Sequence, residues 1–410
     1  MTSPEPLSVG LALRPESRLL SALKTAAFLL SLTALMFLLH LGLKPEFGFI
    51  FAGAFAIHLG LLPERRELGR ALGFAAFFAA LYLGTGLLAH EQVVSDWWVA
   101  RVAGIGGALG CGSAAVLGID AFWSTGEVAR RAQFALQRAA VIPVFGMVAA
   151  VAMGFVSATP ATTFDLYLYS FDDRLGFQAS FLCGRLFLHY PWLHEIASLI
   201  YDALPLLPPL VLAISWRERR RLPFDPLAAF VAAGIVCFCL YQVCPGTAPA
   251  AVFGNLFPDH QPAASALHLG RIAIPDQPRN AMPSMHVTWT LLAWWCSLSL
   301  SRWMRIFSTV FLAWTVLATL GLGEHYLTDL IVACVFTLAI SAGCAVRLPF
   351  RAAARGQALA FGSIVTLGWL LLLREGMLAG IPQVAAWILV AITLGGSVFF
   401  ERRLIDRASN

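Results

Sequence analysis

The feature that most constrains this chain is a series of apolar runs, many near 20 residues, separated by short polar connections. About 20 apolar residues in a helix cross a bilayer, because every backbone polar group there must be bonded within the segment. With 59% hydrophobic and only 12% charged residues over 410 positions, no soluble class accommodates the chain. The expectation is an all-α integral membrane protein with about twelve transmembrane helices. They are placed near 21–43, 47–63, 70–90, 101–120, 135–157, 193–214, 225–245, 285–301, 305–322, 326–346, 357–374 and 382–400. Residues 1–20 are polar and proline-containing and do not resemble a cleavable signal, so the first run is expected to be a retained span.

Charge supplies an independent test. With the N-terminus in the cytoplasm, 21 of the 28 Lys and Arg residues fall inside, among them Arg130, Arg131, Arg217, Arg219, Arg220 and Arg221. Seven fall outside: Lys44, Arg101, Arg174, Arg185, Arg271, Arg279 and Arg374. The alternation holds with both termini cytoplasmic. It also argues against nucleic-acid binding, because the net charge of +5 follows membrane sides rather than one patch. A bacterial inner membrane fits first, an internal eukaryotic membrane second.

Of eight cysteines, Cys111, Cys237, Cys239, Cys296 and Cys334 sit in apolar runs and read as small hydrophobes. Cys183 and Cys244 lie near connections, and their pairing is left open. No cofactor is implied. His260, His268, His286 and Glu324 lack metal-ligand spacing, so no metal site is expected.

Two connections are long, 158–192 and 246–284, and both fall on the outer side. The first holds an amphipathic stretch with Asp172-Asp173. A polyol contact there is weighed against a solvated turn, and the turn is preferred. Long connections are often functional.

Three strings carry chemistry, and all meet the same outer face. They are Arg279-Asn280-Ala281-Met282-Pro283-Ser284-Met285-His286, Gly323-Glu324-His325-Tyr326-Leu327-Thr328-Asp329, and the weaker Tyr241-Gln242-Val243-Cys244-Pro245-Gly246-Thr247-Ala248-Pro249. On a helix, His325 and Asp329 share a face, so the carboxylate can fix the imidazole tautomer and free the other nitrogen to attack. An ionisable pair inside a membrane protein is costly and marks function more often than packing. Ser284 is a plausible N-cap. His286, in the first turn that follows, is placed for general-acid work. Taken alone, His286 reads better as a residue that caps a polar loop. Arg279 suits a phosphate contact, and Arg271 is a second candidate. For Arg271, Arg174 and Arg185, contact with lipid headgroups is an equal alternative.

Pro-Ser-x-His followed by His-Tyr-x-x-Asp resembles the type 2 phosphatidic acid phosphatase superfamily. RNAMPSMH with GEHYLTDL is similar, more closely, to its inositolphosphotransferase-like branch, which includes inositol phosphorylceramide synthases. The resemblance covers roughly 160–346. It implies His325 as phosphoryl-accepting nucleophile, Asp329 as its orienting group and His286 as acid for the leaving group. It also implies a phosphate contact from Arg279; Ser284, Asn280, Tyr326 and Arg271 are further candidate substrate contacts. Where the superfamily has Ser-Arg upstream of the nucleophile, this chain has Ala318 and Thr319, and the superfamily's upstream Lys-x6-Arg-Pro string is absent. The branch is similar in lacking that Ser-Arg.

The resulting expectation is a lipid phosphotransferase acting on membrane lipids. A lipid phosphate phosphatase is the first alternative and a transporter the second. Span interiors poor in ionisable residues, with Asp202 the main exception, count against transport. The expected organisation is 1–157 as accessory helices, 158–346 as a six-helix catalytic core, and 347–410 as a C-terminal hairpin and tail.

Overall fold

A computed structural model describes residues 48–88, 97–159, 162–275, 277–349 and 351–409. Fifteen α-helices run in order among them. They are α1 (Phe49–Gly60), α2 (Arg65–Leu88), α3 (Trp98–Trp123), α4 (Gly126–Ala158), α5 (Asp165–Arg174), α6 (Ala179–His189), α7 (Pro191–Asp202) and α8 (Leu207–Arg217). There follow α9 (Pro226–Val243), α10 (Pro249–Phe253), α11 (Met285–Ser297), α12 (Arg302–Gly321), α13 (Leu327–Cys344), α14 (Ala353–Arg374) and α15 (Gln383–Ser409). No strand forms among the described residues beyond one isolated bridge, Thr163 with Ile272. The chain is an all-α, multi-pass integral membrane protein.

Among the described residues, eight helices are long and apolar enough to cross a membrane, and α7 with the stretch Leu204–Arg217, at the expected span 193–214, makes a ninth if counted as one span bent by 43°. Two further expected spans are present as shorter helices. The bend falls where Pro205, Pro208 and Pro209 remove helix donors and crowd the preceding turn. Helix α1 has 12 residues and α11 has 13, about 18–20 Å each, short of a hydrocarbon core of roughly 30 Å. Helix α11 stops early because serines compete for its last carbonyls: Ser297 Oγ donates to Trp294 O and Ser299 Oγ to Cys296 O. The Glu218 carboxylate then accepts from Ser301 N at 2.8 Å and fixes the turn into α12. The run at 21–43 lies outside the described residues.

Helices α1 to α4 meet through small residues. A Cβ on Gly110 would lie 1.9 Å from Phe51 O, and one on Gly112 would lie 2.2 Å from Ala71 O. Backbones approach this closely only where side chains vanish, a common solution for helices that pack in lipid. Helix α4 is 33 residues long, about 50 Å, so its charged first turns extend past the apolar slab. Arg138 on α4 pairs with Asp225, whose carboxylate also caps α9 through Leu227 N and Ala228 N. At the other end, the Trp97 and Trp98 indoles donate to Glu195 on α7.

Helix α13 is the central element, with 78% of its spanning window buried, against 22% for α4 and for α15. Helices α9, α11, α14 and α15 pack against it. The connection expected at 158–192 is mostly helical, as α5 and α6. The connection at 246–284 folds as α10 and short 3-10 turns.

Candidate active site

Helix α12 ends at Gly321, and a tight turn leads into α13. Gly323 has φ +74°, which a side chain would strain, and a Cβ there would lie 2.7 Å from the Phe257 ring. The Thr319 carbonyl accepts from both Glu324 N and His325 N at 3.1 Å. Ser180 Oγ on α6 donates to His325 O at 2.7 Å. The residue between α12 and α13 is therefore gripped through its main chain on both sides.

His325 Nδ1 lies 3.4 Å from Asp329 Oδ2, with side chains 3% and 0% exposed. The pairing expected from spacing is present, but its geometry differs. His325 precedes the helix: Tyr326 is the N-cap, and Asp329 stands three residues into the structure that it caps. Asp329 Oδ2 accepts from Tyr326 N at 2.8 Å, so one oxygen closes the helix start and faces the imidazole. A carboxylate is favoured at this end by the helix dipole. Burial lowers the His325 pKa to about 4, with the Glu324 charge and a main-chain hydrogen bond at Ala281 opposing. The ring is thus neutral at physiological pH, as a nucleophile must be.

His286 lies in the first turn of α11. Ser284 caps that helix as expected, its Oγ accepting from Val287 N at 3.4 Å. Ser284 N donates to Asp329 O at 3.2 Å, which ties the start of α11 to the start of α13. The His286 ring stacks on Tyr201 at 3.8 Å between centroids and lies 6.2 Å from the His325 ring. The two imidazoles are thus close enough to act on one bound substrate group.

The other expected contacts are placed differently. The Arg279 side chain is buried, and its two terminal nitrogens donate to the carbonyls of Ser157, Gln277 (2.6 Å) and Ile274 (2.9 Å). The guanidinium fork expected for phosphate thus clamps the 274–279 loop to the end of α4, and Nε is buried with no hydrogen-bond partner. Arg271 is exposed, with its guanidinium 5.2 Å from the Phe164 ring centroid. Tyr326 is buried in the apolar cluster of Phe164, Tyr169 and Phe171, and Asn280 is half-buried. Among the described residues, no group of three or more His, Cys, Asp or Glu side chains could hold a metal ion. Cys183 and Cys244 are both free.

Sequence reasoning missed the helix behind the site. Asp172, preferred above as a solvated turn, is fully buried on α5, whereas Asp173 is exposed. Asp172 accepts from Leu327 N (2.8 Å), Thr328 N (3.0 Å) and Thr328 Oγ1. Asp165, on the same helix, accepts from Thr247 N at 2.9 Å and Thr247 Oγ1 at 3.2 Å. Burial pushes Asp172 up to about 7 and Asp165 up to about 6, with these hydrogen bonds pulling back. The available signal was their spacing: two acids seven apart, in line with Leu168 and Tyr169, on the apolar stripe of an amphipathic helix.

Two histidines and a carboxylate lie together at the starts of two helices, a set that is chemically able to accept a phosphoryl group and pass it on. Residues 166–343 match the family model of the PAP2 superfamily. The match spans less than half of the chain and includes every residue of the His286, His325 and Asp329 constellation. It supports the type 2 phosphatidic acid phosphatase superfamily and, with it, an enzyme of the lipid phosphatase or phosphotransferase type. Comparison with curated proteins and with solved structures gives no match.

Proposed function

We propose that the chain is a lipid phosphotransferase that moves a phosphoryl or phosphoalcohol group between membrane lipids through a phosphohistidine at His325. The observation that carries this reading is the imidazole pair, 6.2 Å between centroids, with Asp329 behind its buried member, His325. Nδ1 of His325 faces Asp329, so Nε2 is the attacking nitrogen. Its lone pair forms the P–N bond as the bond from phosphorus to the leaving oxygen breaks. His286, in its imidazolium form, gives that oxygen its proton; burial lowers its pKa to about 3, and the negative charge of the bound phosphate opposes that shift. In the second half, an acceptor hydroxyl attacks phosphorus, His286 takes the hydroxyl proton and the P–N bond breaks, which restores neutral His325. Asp329 stabilises the positive ring of the intermediate and holds its tautomer. Any substrate contact by Ser284, Asn280 or the free Nε–H of Arg279 would be made from the loop that enters α11.

The similarity of RNAMPSMH and GEHYLTDL to the inositolphosphotransferase-like branch supports an alcohol acceptor such as ceramide or diacylglycerol over water. The charge distribution supports cytoplasmic termini and a site on the outer face. It also fits residues 1–157 as an accessory unit, 158–346 as the catalytic unit and 347–410 as a C-terminal hairpin.

The test is to incubate purified protein and His325→Ala with a mixed pool of phospholipids, lipid phosphates, ceramide and diacylglycerol. Lipid products are read by mass spectrometry, with free phosphate assayed in parallel. A new phospholipid from the wild type alone, with little free phosphate, is the expected result. Release of phosphate instead makes the chain a phosphatase. Equal product from wild type and variant sinks the reading and makes transport the next hypothesis.

A further inference from the structure

The carboxylates of Asp165 and Asp172 are 0% exposed, and the proposed chemistry uses neither. A buried carboxylate costs several kcal/mol unless it is fully bonded. Both are bonded to segments distant in the chain. Asp172 takes the first two amides of α13 and the Thr328 hydroxyl, directly after His325 and Tyr326. Asp329 takes the amide of Tyr326, and the Tyr326 carbonyl takes the amide of Asp329. Helix starts normally leave such donors open. Here four successive amides after His325 are closed, and two of them are closed from outside the helix by α5. Asp165 grips the Gly246-Thr247 turn in the same way. The Gly246 carbonyl in turn accepts from Ala281 N at 3.0 Å, on the loop that leads to His286. One short helix therefore touches both arms of the site.

We infer that Asp172 is a positioning residue for His325: it fixes the register of the α13 start so that Nε2 points at the reacting phosphorus. The inference rests on the phosphotransfer reading above. Displacement of a nucleophile by about 1 Å costs on the order of 100-fold in rate, the scale expected when the main chain next to His325 loses its anchor. Asp172→Asn is nearly isosteric, but its amide NH₂ meets donors rather than acceptors.

The experiment compares wild type with Asp172→Asn, Thr328→Val and the exposed neighbour Asp173→Asn, all as full-length protein in detergent. Steady-state kinetics use a lipid substrate from the pool, and hydrogen exchange is followed across residues 322–330. Asp172→Asn should lower kcat by about 30–100-fold with KM within about threefold, and should raise amide exchange at Leu327 and Thr328. Thr328→Val, which removes one of three hydrogen bonds, should lower kcat by a few fold. Asp173→Asn should match wild type. The inference is overturned if Asp172→Asn keeps half or more of wild-type kcat. It is equally overturned if activity falls only in proportion to folded protein. If Asp172→Asn does not fold, Thr328→Val with full kcat overturns it. Turnover that survives in His325→Ala sinks the phosphotransfer reading instead. Amide exchange needs no substrate and still reads the grip of α5 on α13.

Discussion

Asp329→Asn isolates the electrostatic part of the mechanism. Asparagine keeps the shape, and its carbonyl oxygen can still accept from Tyr326 N, so the start of α13 keeps its cap. What disappears is the negative charge 3.4 Å from His325 Nδ1. In the phosphohistidine the ring is positive, and at an effective dielectric of about 20 two unit charges at that distance attract by roughly 5 kcal/mol. Each 1.36 kcal/mol is tenfold in rate, so the ceiling is between three and four decades. Part of that attraction is present before phosphorus is attacked, because the carboxylate also polarises the neutral ring. A fall of about 1000-fold in kcat is the working expectation, with KM changed less than threefold and stability lower by about 1 kcal/mol for one weakened buried hydrogen bond. Initial rates of lipid product formation, normalised to folded protein by thermal unfolding in detergent, supply the number. A variant that retains more than a tenth of wild-type kcat at unchanged stability would show that Asp329 caps a helix and does not support the nucleophile.

Further outcomes follow from the same geometry. His286→Ala should slow transfer from an alkyl phosphate ester by about 100-fold to 10,000-fold and much less for an aryl phosphate, whose leaving oxygen needs no proton; equal losses on both would remove His286 as the acid. Burial lowers the His325 pKa, so the acid limb of kcat/KM set by this ring should lie below pH 6.5. Because the folded ring resists the proton that the unfolded ring accepts, stability should fall as pH drops from about 6.5 towards 4, and His325→Asn should flatten that slope in thermal unfolding. Ser180→Ala should cost about 1 kcal/mol and lower kcat a few fold, as read by paired unfolding and kinetic assays. Gly110→Ala, whose Cβ would meet Phe51 O at 1.9 Å, should cost about 1–3 kcal/mol while kcat per folded molecule is unchanged; a loss of kcat would assign the α1–α4 unit a part in catalysis.

Much of this protein was legible along the chain. Membrane spans announce themselves because each must satisfy its own backbone within about 20 residues, so length and apolar content decide them locally. Where a run bends or stops is less local. Prolines at 205, 208 and 209 bend one run, and side-chain competition by Ser297 and Ser299 ends another. The pair His325 and Asp329 was legible because its contact spans four residues, and Ser284 because an N-cap is a local device. The 6.2 Å approach of His286 to His325 was not, since 39 positions separate them and their helices meet only in the folded protein, where Ser284 N donates to Asp329 O.

Arg279 and Asp172 show the boundary between the two kinds of information. By sequence, the arginine was the phosphate ligand and the aspartate a solvated turn. Folding reversed the emphasis: Arg279 holds its own loop through carbonyls up to 122 positions away, and Asp172 holds the start of the catalytic helix from 155 positions away. Residue type and spacing determined which groups could do chemistry, and in which solvent. Which of them face the reaction and which hold the others in place was decided only by tertiary packing, because a buried charge takes whichever partner the fold brings within reach, and that partner is distant in the chain.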